Sequence, residues 1–116
     1  MTDRIKEWLQ KFEENWKQKK VDEVLQLFSE NVEYHETPTK KLENKEEIRK
    51  ECQSINNQKN IELETEVFSS TENKHTVKWH LEYTKNNERK LLNGIYLIQL
   101  NEEGKCIELW QYCQIE

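Results

Sequence analysis

The run from Leu91 to Leu100 is apolar on both of its faces. Read at the two-residue period of a β-strand, Leu92, Gly94, Tyr96, Ile98 and Leu100 fall on one side, and Leu91, Ile95 and Leu97 fall on the other. An antiparallel strand with one face on a core and one in water alternates apolar with polar. A strand that does not alternate needs a cover on each side. A chain of 116 residues has room for one domain. Its own helices supply the first cover, and the expected second cover is another copy of the chain.

The rest of the chain supplies those helices. Ile5, Trp8, Leu9, Phe12 and Trp16 recur at helical spacing, which predicts a helix over about residues 3–18. Val21, Val24, Leu25 and Phe28 repeat the spacing after a Lys19-Lys20 corner. Val32 and Tyr34 then alternate with Glu33 and His35 as a short strand, which Pro38 ends, opening a polar loop to about Glu43. Asn44 followed by Glu47 is a capping-box pair, and Ile48, Cys52 and Ile55 share one face of a third helix.

From Asn60 the period changes to two. Ile61, Leu63, Thr65 and Val67 alternate with Glu62, Glu64 and Glu66, and Val77, Trp79, Leu81 and Tyr83 alternate with Lys78, His80 and Glu82. Polar turns fall at Thr71–Lys74, Lys85–Glu88 and Asn101–Gly104, and a last strand runs from Cys106 to about Ile115. Helices first and strands after give an α+β class, with helices on one face of a four-stranded antiparallel meander. One domain is expected to span residues 1–116.

Hydrophobic residues make up 34% and charged residues 35%, a polar balance, yet four Trp, four Tyr and three Phe bring enough apolar area for a packed core. Net charge is -5, and Lys17–Lys20 is the one dense basic patch, so a nucleic-acid footprint is missing. No apolar stretch approaches the roughly 20 residues of a membrane helix. The start, Met-Thr-Asp-Arg-Ile-Lys, lacks a signal-peptide core, and a cytoplasmic location is expected. Cys52, Cys106 and Cys113 are odd in number with no C-x-x-C spacing, as befits reduced thiols. His35, His75 and His80 lack metal-site spacing, and Gly94 and Gly104 are too few for a phosphate loop, so neither a metal nor a cofactor is expected.

Three segments carry a family resemblance. They are Val24-Leu25-Gln26-Leu27-Phe28 running into Ser29–Pro38, the capped helix start at Asn44–Ile48, and the closing Gly104-Lys105-Cys106-Ile107-Glu108-Leu109-Trp110-Gln111-Tyr112. In order and spacing the chain resembles the nuclear transport factor 2-like superfamily, in its SnoaL-like branch. It departs in having Asn44 where the family usually has Gly, and Cys113-Gln114 where a Trp or Phe is common. The resemblance implies a curved sheet wrapped around a long helix, forming a cone with an apolar pocket at one end and an outer face that pairs two copies.

Period-two sorting puts Val77, Trp79 and Leu81 on one face, Gly94 and Tyr96 on one face, and Ile107, Leu109, Gln111 and Cys113 on one face. By resemblance these sets face the pocket. Tyr34 and Glu36 join them from the short strand, and Phe12 and Trp16 from the first helix. Ile95, Leu97, Trp110 and Tyr112 then form the dimer face. Glu36 takes the position where the family's isomerases carry a carboxylate base, and desolvation in an apolar cone would poise it for that role. The isomerase oxyanion donors map to Phe12, which cannot donate, and to Tyr96, which can.

Three functions fit. The first is a homodimeric module that binds a small apolar or aromatic molecule. The second is a small isomerase, dehydratase or hydrolase using Glu36, with Tyr96 as donor. The third is a dimeric interaction module with a packed pocket.

Overall fold

The computed structural model describes residues 3–37 and 39–115, so the strand stop expected at Pro38 lies outside the described residues. Helix α1 (Asp3–Lys17) leads into the short α2 (Val21–Leu25). Strand β1 (Phe28–Thr37) and strand β2 (Lys40–Leu42) follow, then α3 (Lys45–Cys52) and a 3-10 turn at Gln53–Asn57. The chain finishes with β3 (Lys59–Thr71), β4 (Lys74–Lys85), β5 (Glu88–Leu100) and β6 (Cys106–Ile115). The six strands make one sheet in the order β2-β1-β6-β5-β4-β3.

The meander is as periodicity predicts it, and its turns show why. Asn86 and Asn87 both adopt left-handed φ (+53° and +66°), the requirement of a two-residue hairpin whose twist matches its strands. Gly104, at φ +80°, closes the β5–β6 turn. Several features differ from expectation. Phe28, grouped with the second helix by its spacing, opens β1, and Ile55, grouped with the third, lies in the 3-10 turn after it. The stretch after Pro38 is not all loop, because Lys40–Leu42 folds back on β1 as an antiparallel partner. Strand β1 is also longer than the Val32–Tyr34 alternation suggests, and it pairs in parallel with β6. Parallel pairing between distant segments leaves no local trace in a sequence.

The register aligns the inner side chains in rows. Val77 pairs with Tyr96 and Tyr96 with Gln111, while Trp79 pairs with Gly94 and Ile98 with Leu109. Against this face lie Ile5, Trp8, Leu9 and Phe12 of α1, Val24 and Leu25 of α2, and Ile48 and Cys52 of α3, all buried. Phe12 stacks on Trp8 at 5.2 Å between ring centres, and meets Tyr96 edge-on at 6.0 Å. Gly94 has a packing reason. A Cβ there would come within 2.5 Å of the Trp79 ring and 2.0 Å of the Tyr112 carbonyl oxygen. The missing side chain is what lets the Trp79 indole lie across the strand.

Candidate functional site

At the open end of the helical cover, α1, β1, α3, β4, β5 and β6 leave a cavity of about 210 Å³. Trp16, Tyr34, Trp79, Tyr83 and Tyr96 form aromatic walls, and Ile48, Leu81 and Leu92 fill between them. Its polar lining is Glu36, Glu51, Cys52, Gln58 and Gln111. Of the residues assigned to a pocket from the sequence, seven meet here: Trp16, Tyr34, Glu36, Trp79, Leu81, Tyr96 and Gln111. Six do not line it, Val77, Gly94 and Ile107 among them. Phe12 and Leu109 are packed into the core, because the cavity starts above them, and Cys113 is exposed toward the far end of β6.

Most of the polar lining is internally paired. The Trp16 indole donates to Gln58 Oε1 at 3.2 Å, and the Tyr34 hydroxyl donates to Gln111 Oε1 at 3.3 Å. Because an indole can only donate, the Trp16 contact fixes which end of the Gln58 amide faces it. Burial raises the Tyr34 and Tyr96 hydroxyls well above the ordinary phenol range, so both stay protonated donors. Burial likewise pushes the Cys52 thiol up to about 12, which leaves it inert at neutral pH.

Glu36 sits at the mouth with its side chain 24% exposed. Desolvation raises its pKa, the neighbouring Glu51 carboxyl raises it further through a hydrogen bond and through charge, and Lys40 opposes both. The Lys40 ammonium lies 3.5 Å from Glu36 Oε1 and 3.4 Å from Glu51 Oε1, bridging the two carboxyls. Two buried polar atoms have no hydrogen-bond partner among the described residues of this wall: Glu36 Oε2 and Trp79 Nε1.

Glu51 and Gln58 were not assigned to the pocket from the sequence. Glu51 carried a signal, since it lies three residues after the inward-facing Ile48 and so flanks the buried helix face. Gln58 had none, because it follows a 3-10 turn whose direction depends on tertiary packing.

The histidines lie elsewhere. His35 stacks on Trp110 on the outer face at 3.5 Å between rings, and His80 bonds Asn93 and Glu82 there. His75, expected at a turn, is instead buried on β4, with Nδ1 2.7 Å from the Ser70 hydroxyl. Among the described residues no group of three His, Cys, Asp or Glu side chains is placed to hold a metal.

A family model for the SnoaL-like domain matches residues 9–109. The chain belongs to the SnoaL-like family. Its fold is the nuclear transport factor 2-like one of curved, unclosed sheet and leading helices. The structure is similar to that of SalBIII, an epoxide hydrolase/cyclase-like enzyme of pyran ring formation in salinomycin, at TM-score 0.84 and 18% identity, covering 97% of this chain and 92% of that one. AusH from Aspergillus nidulans matches at TM-score 0.83 and 18% identity, covering 98% and 86%. An NTF2-like protein of unknown function from Exiguobacterium sp. 255-15 matches at TM-score 0.76 and 15% identity, covering 92% and 98%. Other similar structures carry provisional names as isomerase, polyketide cyclase and scytalone dehydratase. At these identities the likeness is one of fold. Among curated proteins no sequence matches this SnoaL-like chain.

Proposed function

We propose that this SnoaL-like protein binds a small, flat, largely apolar molecule in the cavity between α1, α3 and the sheet. The observation that carries this reading is the enclosure of about 210 Å³ by five aromatic side chains. That space is smaller than the roughly 300–1,000 Å³ of drug-sized pockets, and suits a one- or two-ring compound. An open cavity also weighs against a filled cone that serves only as an interaction module.

A second reading is favoured by Glu36. Its carboxyl is raised by burial at the edge of an apolar space, as a general base requires, and Tyr96 is a protonated donor on the same wall. Proton transfer to or from the bound molecule follows naturally. The names carried by similar structures, cyclase and isomerase among them, are chemistry of that kind. Two copies joined by their outer sheet faces, and a cytoplasmic location consistent with three free thiols, complete the proposal.

Tryptophan fluorescence tests the binding. Trp16 and Trp79 both line the cavity, so a one- or two-ring aromatic compound is expected to quench them saturably. Leu81→Trp, which fills the cavity, is expected to abolish the quenching while the folded circular-dichroism spectrum persists. Silence of the wild-type protein across a broad set of aromatic and lipid-like compounds would overturn the reading.

A further inference from the structure

Phe68 is the most exposed of the large hydrophobic side chains among the described residues, at 69%. The strand ladder puts it there. Val67 pairs with Val77 and Ser69 with Thr76, so β3 uses two residues where β4 uses one, and Phe68 is the extra one. Such a bulge bends its strand and re-aims a side chain. Toward its start the same edge strand carries Glu62, Glu64 and Glu66, charges of the kind that guard an edge, and the apolar Phe68 breaks that pattern.

Beside the bulge lies a groove of about 390 Å³ on the outer face. Strands β3, β4, β5 and β6 all line it, through Ser69, Thr76, Leu97 and Trp110 among others, so this end of the outer face is hollow. These four residues form one row of the ladder, Ser69 paired with Thr76, Thr76 with Leu97 and Leu97 with Trp110. Phe68 stands at one end of the row and Trp110 at the other. The Trp110 ring is already fixed, stacked on His35 at 3.5 Å and donating to Glu108 at 2.7 Å.

We infer that in a pair of copies Phe68 of each seats against Trp110 in the groove of the other, with the two-fold axis running along the strands between β4 and β5. That axis exchanges β3 with β6 and β4 with β5. It sets Phe68 over Trp110 twice and Thr76 over Leu97 twice, as an isologous contact requires. It also suits the charges. Glu66 and Lys78 share a row with Ile95 and Tyr112, and Glu64 and His80 share one with Asn93 and Gln114. The exchange puts Glu66 over Tyr112, a hydroxyl donor, and Glu64 over Gln114, an amide donor. An axis across the strands would lay one β3 on the other, acids toward acids. The inference rests on the two-copy reading above and names the contact and the axis that reading leaves open.

Sedimentation of the full chain tests the contact. Phe68→Ser, at a site open to water in the single chain, should keep the wild-type circular-dichroism spectrum and weaken association about tenfold or more. Phe68→Leu, which keeps an apolar tip, should lose less. Cross-linking tests the axis. Within one chain Phe68 and Trp110 stand three strands apart, about 14 Å at roughly 4.8 Å per strand, too far for a disulfide. Phe68→Cys combined with Trp110→Cys, in a Cys113→Ser background that removes the exposed thiol, should give a covalent pair on oxidation. The oxidation is run at a concentration where that variant sediments as two chains, and neither single substitution should give the product. If the wild type pairs but Phe68→Ser pairs as tightly, or the doubly substituted chain gives no covalent pair, this inference fails and the two-copy reading stands. If the wild type is a single chain at every concentration, both fail.

Discussion

At the scale of single residues, Glu36 is where burial and chemistry meet. Its folded-state pKa is raised from the ordinary 4.5, first by desolvation and then by Glu51. The sign of the stability effect follows. Between the unfolded and folded pKa values the native state binds more protons than the unfolded chain, so stability falls as pH rises through that window and stays lower above it. Glu36→Gln cannot titrate and removes that loss. It should match the wild type near pH 4 and melt at a higher temperature near pH 7, with the gap opening as pH rises. The wild-type side-chain carboxyl, followed by NMR, should titrate above the usual glutamate range. A Glu36 that titrates in the ordinary range, or a variant no more stable at pH 7 than at pH 4 relative to wild type, would remove both the strain and the base role built on it.

At the scale of elements, α3 decides whether the mouth of the cavity is assembled. Its cap is formed by Asn44, whose Oδ1 accepts from the Glu47 backbone N–H at 3.0 Å, while Glu47 Oε1 reaches back to the Glu43 N–H at 3.2 Å. Only eight residues long, α3 depends on that cap and on the burial of Ile48 and Cys52. Asn44→Ala should lower stability by about 1 kcal/mol, and Asn44→Ser by much less. Denaturant midpoints at constant slope would show it, and equal midpoints for all three proteins would mean that the cap holds nothing. This cap was legible in the sequence because a capping box is a local pattern. The inward faces of β4, β5 and β6 were legible in two steps, since alternation groups Trp79 with Leu81, Tyr96 with Gly94 and Gln111 with Leu109, and the family resemblance says which group faces in. What was not legible came from contacts between distant segments. The parallel pairing of β1 with β6 brings Tyr34 beside Leu109, seventy-five positions away, and no period in either segment announces it. The Glu36–Lys40–Glu51 bridge is of the same kind, because it needs the β2 fold-back and the approach of α3 together.

At the scale of the whole molecule, the helices account for only one face of the sheet. On the other, Ile95 is 41% exposed, Leu97 39% and Tyr112 40%, with Leu97 paired to Trp110 and Ile95 to Tyr112 across neighbouring strands. Four large apolar side chains in adjacent rows form a contiguous patch, and such patches mark surfaces that meet other protein. The patch lies on the two central strands of the sheet, which suits face-to-face packing against an identical sheet. Leu97→Lys separates that use from a role in folding. In a lone chain the position is already part exposed, so a lysine there can reach water and the fold should be kept. In a face-to-face pair the same lysine would place an unpaired charge in an apolar interface, at a cost that association cannot bear. Sedimentation equilibrium of the wild type should therefore give twice the 14.2 kDa chain mass at micromolar concentration, and Leu97→Lys should give one chain mass with an unchanged circular-dichroism spectrum. A wild-type protein that sediments as a single copy at every concentration leaves this face to water, and the need for a second cover over the Leu91–Leu100 strand falls with it.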